Sequence, residues 1–154
     1  MRHIIVLACI LGSTGCTPGA THAIAASAVA NSVVTIDINL TLEHPAMLAQ
    51  GQAAGYSPIA TTVSVGTGIR FTNTDSFAHT ATSIGALSAF PSASPFTASA
   101  LQQSGTLLSQ SWSTGTLQPG ATSQTIVADQ PGTYLYGCFF HYGSPLRAAA
   151  IVVQ

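Results

Sequence analysis

The stretch Pro131-Gly132-Thr133-Tyr134-Leu135-Tyr136-Gly137-Cys138-Phe139-Phe140-His141-Tyr142-Gly143-Ser144-Pro145-Leu146 runs a turn, an extended segment and a loop together. Pro131-Gly132 turns the chain, and residues 133–138 read as a strand. Cys138 stands at the end of that strand with His141 three residues on, so a thiolate and an imidazole come within reach of one ion. Downstream of residue 16 there is no other cysteine to close a disulfide. A soft sulfur beside an imidazole, without a second cysteine, suits copper better than zinc. The alternative is a small buried hydrophobe, as free cysteines often are. Tyr134, Tyr136, Phe139 and Phe140 would shield the sulfur from water under either reading. So short a pair recurs by chance, and the rest of the chain has to decide.

The 154 residues have room for one domain and its core. Met1-Arg2-His3, the apolar run 4–11 and the small residues after it have the form of a secretory leader. The expected division is a signal peptide at 1–25, a flexible tether at 26–32 and the folded domain at 33–154. The apolar run is too short to span a bilayer. Ser13-Thr14-Gly15-Cys16 resembles a bacterial lipoprotein box in which Cys16 is lipidated, although Ser13 stands where leucine is usual. Cleavage at Ala23-Ile24-Ala25 or Ala28-Val29-Ala30 is the alternative. Either way the protein is expected to be exported, periplasmic or lipid-anchored at the cell envelope. Its only membrane contact would be that anchor. Cys9 and Cys16 belong to the leader, which leaves Cys138 as a lone thiol in an oxidising compartment. A ligand role protects such a thiolate from oxidation.

Charged residues make up 5% of the chain and lysine is absent. Beyond residue 30, Arg70 and Arg147 face Asp37, Glu43, Asp75 and Asp129. No basic patch exists to neutralise phosphates, so nucleic acid is excluded as a partner. Arg70 and Asp75 read as solvated turn charges. With so little electrostatic steering, docking through an apolar patch is expected.

Apolar residues at 34, 36, 38 and 40 alternate with polar ones, the period of a strand with one buried face. Residues 59–65 alternate again, Gly66-Thr67-Gly68 turns the chain, and 69–72 starts another strand. These two are expected as antiparallel neighbours. Further strands are expected near 112–115, at 122–128 and 133–138, and over the apolar run 148–153. The span 83–110 reads as a long irregular insertion, weakly helical at 98–103, which either covers a functional site or hangs off one edge. His44 and Met47 flank Pro45 and form either an auxiliary Cu(I) site or a surface turn. About seven or eight short strands without an amphipathic helix specify an all-β sandwich.

His79 follows a polar turn and precedes the Thr-rich run Thr80-Ala81-Thr82, and with Cys138 and His141 it completes a His/Cys/His set. Ser57-Pro58 with Val63-Ser64-Val65-Gly66, Phe71-Thr72-Asn73-Thr74-Asp75, His79-Thr80, Trp112 with Gly115, Leu117 and Pro119-Gly120, Pro131-Gly132-Thr133-Tyr134 and Cys138-x-x-His141 follow one another in a specific order and spacing. In that order they resemble the cupredoxins, the type 1 blue copper proteins, and among them the plastocyanin/amicyanin-like group. The resemblance covers roughly residues 57–153. It implies a Greek-key β-sandwich holding one copper ion, Cu(II) or Cu(I), through His79, Cys138 and His141. Two imidazoles and a thiolate form a trigonal site acceptable to both oxidation states.

The family usually supplies a weak axial methionine shortly after the second histidine. Here Leu146 stands at that position, with Ser144 where a shorter loop would place it but its hydroxyl a poor substitute for a thioether, and no methionine follows Met47. A three-coordinate site with Leu146 over its axial face is therefore expected. Asn73 and Thr80 are candidates to fix the ligand loops by hydrogen bonds, or they have ordinary turn and strand roles. Phe140 and Tyr142 either join an apolar docking patch for redox partner proteins near His141 or pack internally. The resemblance implies a one-electron carrier rather than an enzyme. A copper-handling protein that delivers or buffers the ion, and a metal-free structural module, are the alternatives. No Ser/His/Asp set, phosphate loop or paired carboxylate points to hydrolysis or phosphoryl transfer.

Overall fold

The computed structural model describes residues 32–40, 45–85, 87–143 and 148–154. The leader with Cys16, and His44, Ser144 and Leu146, lie outside these described residues. The described residues are all-β, with one short 3₁₀ turn among them at Ala98–Leu101. Its strands in chain order are β1 (Ser32–Ile38), β2 (Ala46–Leu48), β3 (Gly51–Ala53), β4 (Tyr56–Ser57), β5 (Ala60–Val63) and β6 (Thr67–Asn73). There follow β7 (Thr82–Gly85), β8 (Gln103–Ser104), β9 (Ser113–Thr114), β10 (Ile126–Val127), β11 (Gly132–Gly137) and β12 (Ala148–Val153). This exceeds the expected seven or eight because two- and three-residue ladders count as separate strands.

Two sheets form the sandwich. One has the order β10-β6-β1-β4, the other β5-β12-β11-β7-β9-β8, and β2 and β3 form a separate ribbon. The connections cross between sheets in Greek-key fashion: β5 lies in the second, β6 in the first and β7 in the second again. The expected antiparallel pairing of 59–65 with 69–72 is therefore wrong. β5 runs parallel to β12, and β6 runs parallel to β1. Alternation in sequence tells which face of a strand is buried, not which strand lies beside it.

The core is what those buried faces share. Ile36 and Ile38 of β1, Ile69 and Phe71 of β6, and Ile126 of β10 meet Tyr136 of β11 and Ala149, Ile151 and Val153 of β12. Trp112, from the turn before β9, stacks on Phe71 with ring centroids 5.6 Å apart. β12 is nearly continuously apolar because it is an inner strand between β11 and β5. The 83–110 span is no loose appendage. It supplies β7, β8 and the 3₁₀ turn, buries Ala100 and Leu108, and packs Phe96 edge-on against Tyr142.

Candidate metal centre

Two strand ends bring the donors together. After Asn73 ends β6, residues 74–78 form a tight polar loop, and His79 is locked to Leu117 by a reciprocal pair of backbone hydrogen bonds of 3.1 and 2.8 Å. β11 delivers Cys138 at its end, where the chain turns so that the His141 N–H donates to the Cys138 carbonyl at 3.3 Å. Cys138 Sγ then lies 3.6 Å from His79 Nδ1 and 3.4 Å from His141 Nδ1. All three donor atoms fall within 4.8 Å of one another. Donors about 2.0–2.3 Å from a shared ion stand some 3.5–4 Å apart at trigonal angles, which the two sulfur–nitrogen distances match. Two imidazoles and one thiolate are a donor set suited to copper.

Cys138 and His79 are buried and His141 is half-buried. Burial pushes the Cys138 thiol up, opposed by hydrogen bonds from the backbone around Thr80, Phe140 and His141. A binding cation therefore has to displace a proton. Thr80 ties the two ligand loops together: its N–H points at Cys138 Sγ at 3.5 Å, and its hydroxyl accepts from the Phe139 N–H at 2.9 Å. Asn73 braces the loop before His79, with its amide donating to the Phe77 and Leu117 carbonyls at 2.8 and 2.9 Å.

Asp75 is not the solvated turn charge that the sequence implied. Its carboxylate is buried, with Oδ2 3.3 Å from His79 Nε2 and accepting from the Leu40 N–H at 2.8 Å. Oδ1 accepts from the Ser76 N–H at 2.7 Å. Burial alone would raise this carboxyl, but the Leu40 and Ser76 amides and His79 hold it below the ordinary aspartate value. Arg70 is exposed as expected, although it lies in β6 and bonds Thr125. An acidic residue four before a histidine was the available signal for Asp75. The amide of Leu40, 35 residues upstream, was not visible.

Around His141 lies an exposed aromatic rim. Phe77 is 43% and Phe140 44% exposed, with ring centroids 5.7 and 6.2 Å from the His141 ring. Tyr142 is a packing residue instead: it is buried, and its hydroxyl donates to the Pro91 carbonyl at 2.7 Å. Met47 is 78% exposed on the β2–β3 ribbon.

No family model matches the chain, and no curated protein matches it. Solved structures of similar shape include a purple cupredoxin from Nitrosopumilus maritimus at 25% identity and TM-score 0.49, covering 78% of this chain and 98% of that one. These neighbours are cupredoxins. Two others are an oxidized amicyanin mutant (15% identity, TM-score 0.48, 79% of this chain and 82% of that one) and an amicyanin mutant in its Cu(I) form (15%, 0.48, 82% and 86%). The described residues of this chain form a two-sheet β-sandwich with a His/Cys/His set gathered close to the ends of two strands.

Proposed function

We propose that this protein holds one copper ion through His79, Cys138 and His141 and carries single electrons between partner proteins, without being an enzyme. The observation that carries the reading is the convergence of two Nδ1 atoms and one thiol sulfur at 3.4–3.6 Å on a rigid sandwich. When bound, copper supplies a one-electron couple. The chain supplies a donor set held by hydrogen bonds between the two loops, which would limit rearrangement on a change of oxidation state. The aromatic rim at Phe77 and Phe140 keeps water from His141 and gives a partner an apolar surface to meet. Export to the periplasm or the cell envelope, with or without a lipid on Cys16, agrees with the leader-like residues 1–25 and the lone thiol of the remaining chain.

With no methionine beyond position 47, the residues that follow His141 would offer a bound copper no thioether. A missing axial donor favours Cu(I) and raises the potential. A reversible one-electron titration tests both parts. The expected result is one reversible wave per protein and a lower potential in Leu146→Met. An absent wave contradicts the carrier reading, and an unchanged or higher potential in the variant contradicts the axial one.

A further inference from the structure

We propose that Asp75 orients His79 for the metal and biases the centre toward the oxidised ion. The inference rests on the copper reading above. The His79 ring is held between two groups: Nδ1 faces Cys138 Sγ at 3.6 Å, and Nε2 on the far side faces Asp75 Oδ2 at 3.3 Å. An imidazole that donates Nε2–H to a carboxylate carries its lone pair on Nδ1, and Nδ1 of His79 is the atom that faces Cys138 Sγ.

Asp75 is itself immobilised. Both carboxylate oxygens accept backbone N–H groups, from Leu40 and Ser76, and its own N–H donates to Asn73 Oδ1 at 2.9 Å. Its side chain is 2% exposed and that of His79 is 0%. A carboxylate acting only on the loop would need just the amides. Here one oxygen is shared between Leu40 and the imidazole, which couples the end of β1 to a metal-facing ring.

The consequence is electrostatic as well as geometric. Beside a buried thiolate, the carboxylate adds a second negative charge that water screens weakly. Two negative charges stabilise Cu(II) more than Cu(I), so Asp75 lowers the potential. This opposes the rise expected from the missing thioether. Asp75 is therefore a positioning residue, acting on the ion through His79.

The test compares the full-length copper protein with Asp75→Asn at one fixed neutral pH. Removing an outer partner of a ligand histidine typically costs 10- to 100-fold in metal affinity. The expected result is a loss in that range for Cu(II), a smaller one for Cu(I), and a higher potential. Each tenfold preferential loss of Cu(II) corresponds to 59 mV for a one-electron couple. A role confined to shaping the loop would lower stability and leave the potential in place, and that outcome overturns the proposal.

Should the variant fail to fold, ¹H–¹⁵N spectra of the native Cu(I) protein decide. A downfield, slowly exchanging His79 Nε2–H supports the proposal, and an ordinary, rapidly exchanging one overturns it. A native protein without a copper–thiolate band overturns the copper reading and this inference together. A native band with an unmoved potential in Asp75→Asn overturns the inference alone.

Discussion

Tyr56 and Tyr136 meet edge to face with centroids 4.8 Å apart in the core, yet their hydroxyls differ. The Tyr56 hydroxyl donates to the Thr80 carbonyl at 2.8 Å, bracing the residue that ties the two ligand loops. The Tyr136 hydroxyl is buried without a partner among the described residues. Burial raises the pKa of both phenols, so both stay neutral at physiological pH. An orphaned buried carbonyl costs about 1–3 kcal/mol. Urea unfolding of the metal-free protein should therefore show Tyr56→Phe destabilised by roughly that amount and Tyr136→Phe unchanged or slightly more stable. Equal losses in both would contradict the contrast. The same distinction explains what the sequence revealed at this scale. Cys138, His141 and His79 become candidates together, through the order of motifs that resembles the cupredoxins, since the Cys-x-x-His pair recurs by chance when taken alone. The role of Asp75 belongs to its surroundings, and those include the Leu40 amide just past β1, which no local pattern connects to residue 75.

The strands legible in sequence are those whose pattern is long. β1, β6, β11 and β12 emerge close to the expected bounds. The expected strand at 122–128 shrinks to Ile126–Val127, with a single bridge from Thr122 to Thr72, because side-chain bonds replace much of the ladder. The β2–β3 ribbon and the two-residue β4 and β8 were missed, being too short for any period to register. Beside β10, Asp129 closes the 107–110 turn by accepting from both the N–H and the hydroxyl of Ser109. Burial works to raise this carboxyl, but the Ser109 bonds hold it below the ordinary value. The stability it adds is present above the unfolded aspartate pKa, about 3.9, and is lost as pH falls through the lower folded value. The native protein should lose that increment in acid, whereas Asp129→Asn, weaker by about 1 kcal/mol near neutrality, should converge with it at the lowest pH. Parallel stability curves over the whole acid range would contradict this assignment.

At the scale of the molecule, a chain with 5% charged residues has little field to guide a partner. Contact through the Phe77/Phe140 rim should then depend weakly on salt. Electron self-exchange between two copies, read from NMR line widths in mixed Cu(I)/Cu(II) samples, should be nearly independent of ionic strength and slower in Phe140→Ser. A steep salt dependence would place docking elsewhere. Two sheets with the donors at their strand ends were legible in the order of the motifs, whereas the parallel β1·β6 and β5·β12 pairings were not. Partner choice between strands is decided by packing across the whole sandwich. Central to the account is that this sandwich holds its thiolate on copper. The most direct measurement is the visible absorption spectrum of the Cu(II)-loaded protein beside Cys138→Ser. The account predicts an intense thiolate-to-copper band, at one copper per chain, that vanishes in the variant. A folded, copper-loaded native protein without that band, or a variant that keeps it, would contradict the account.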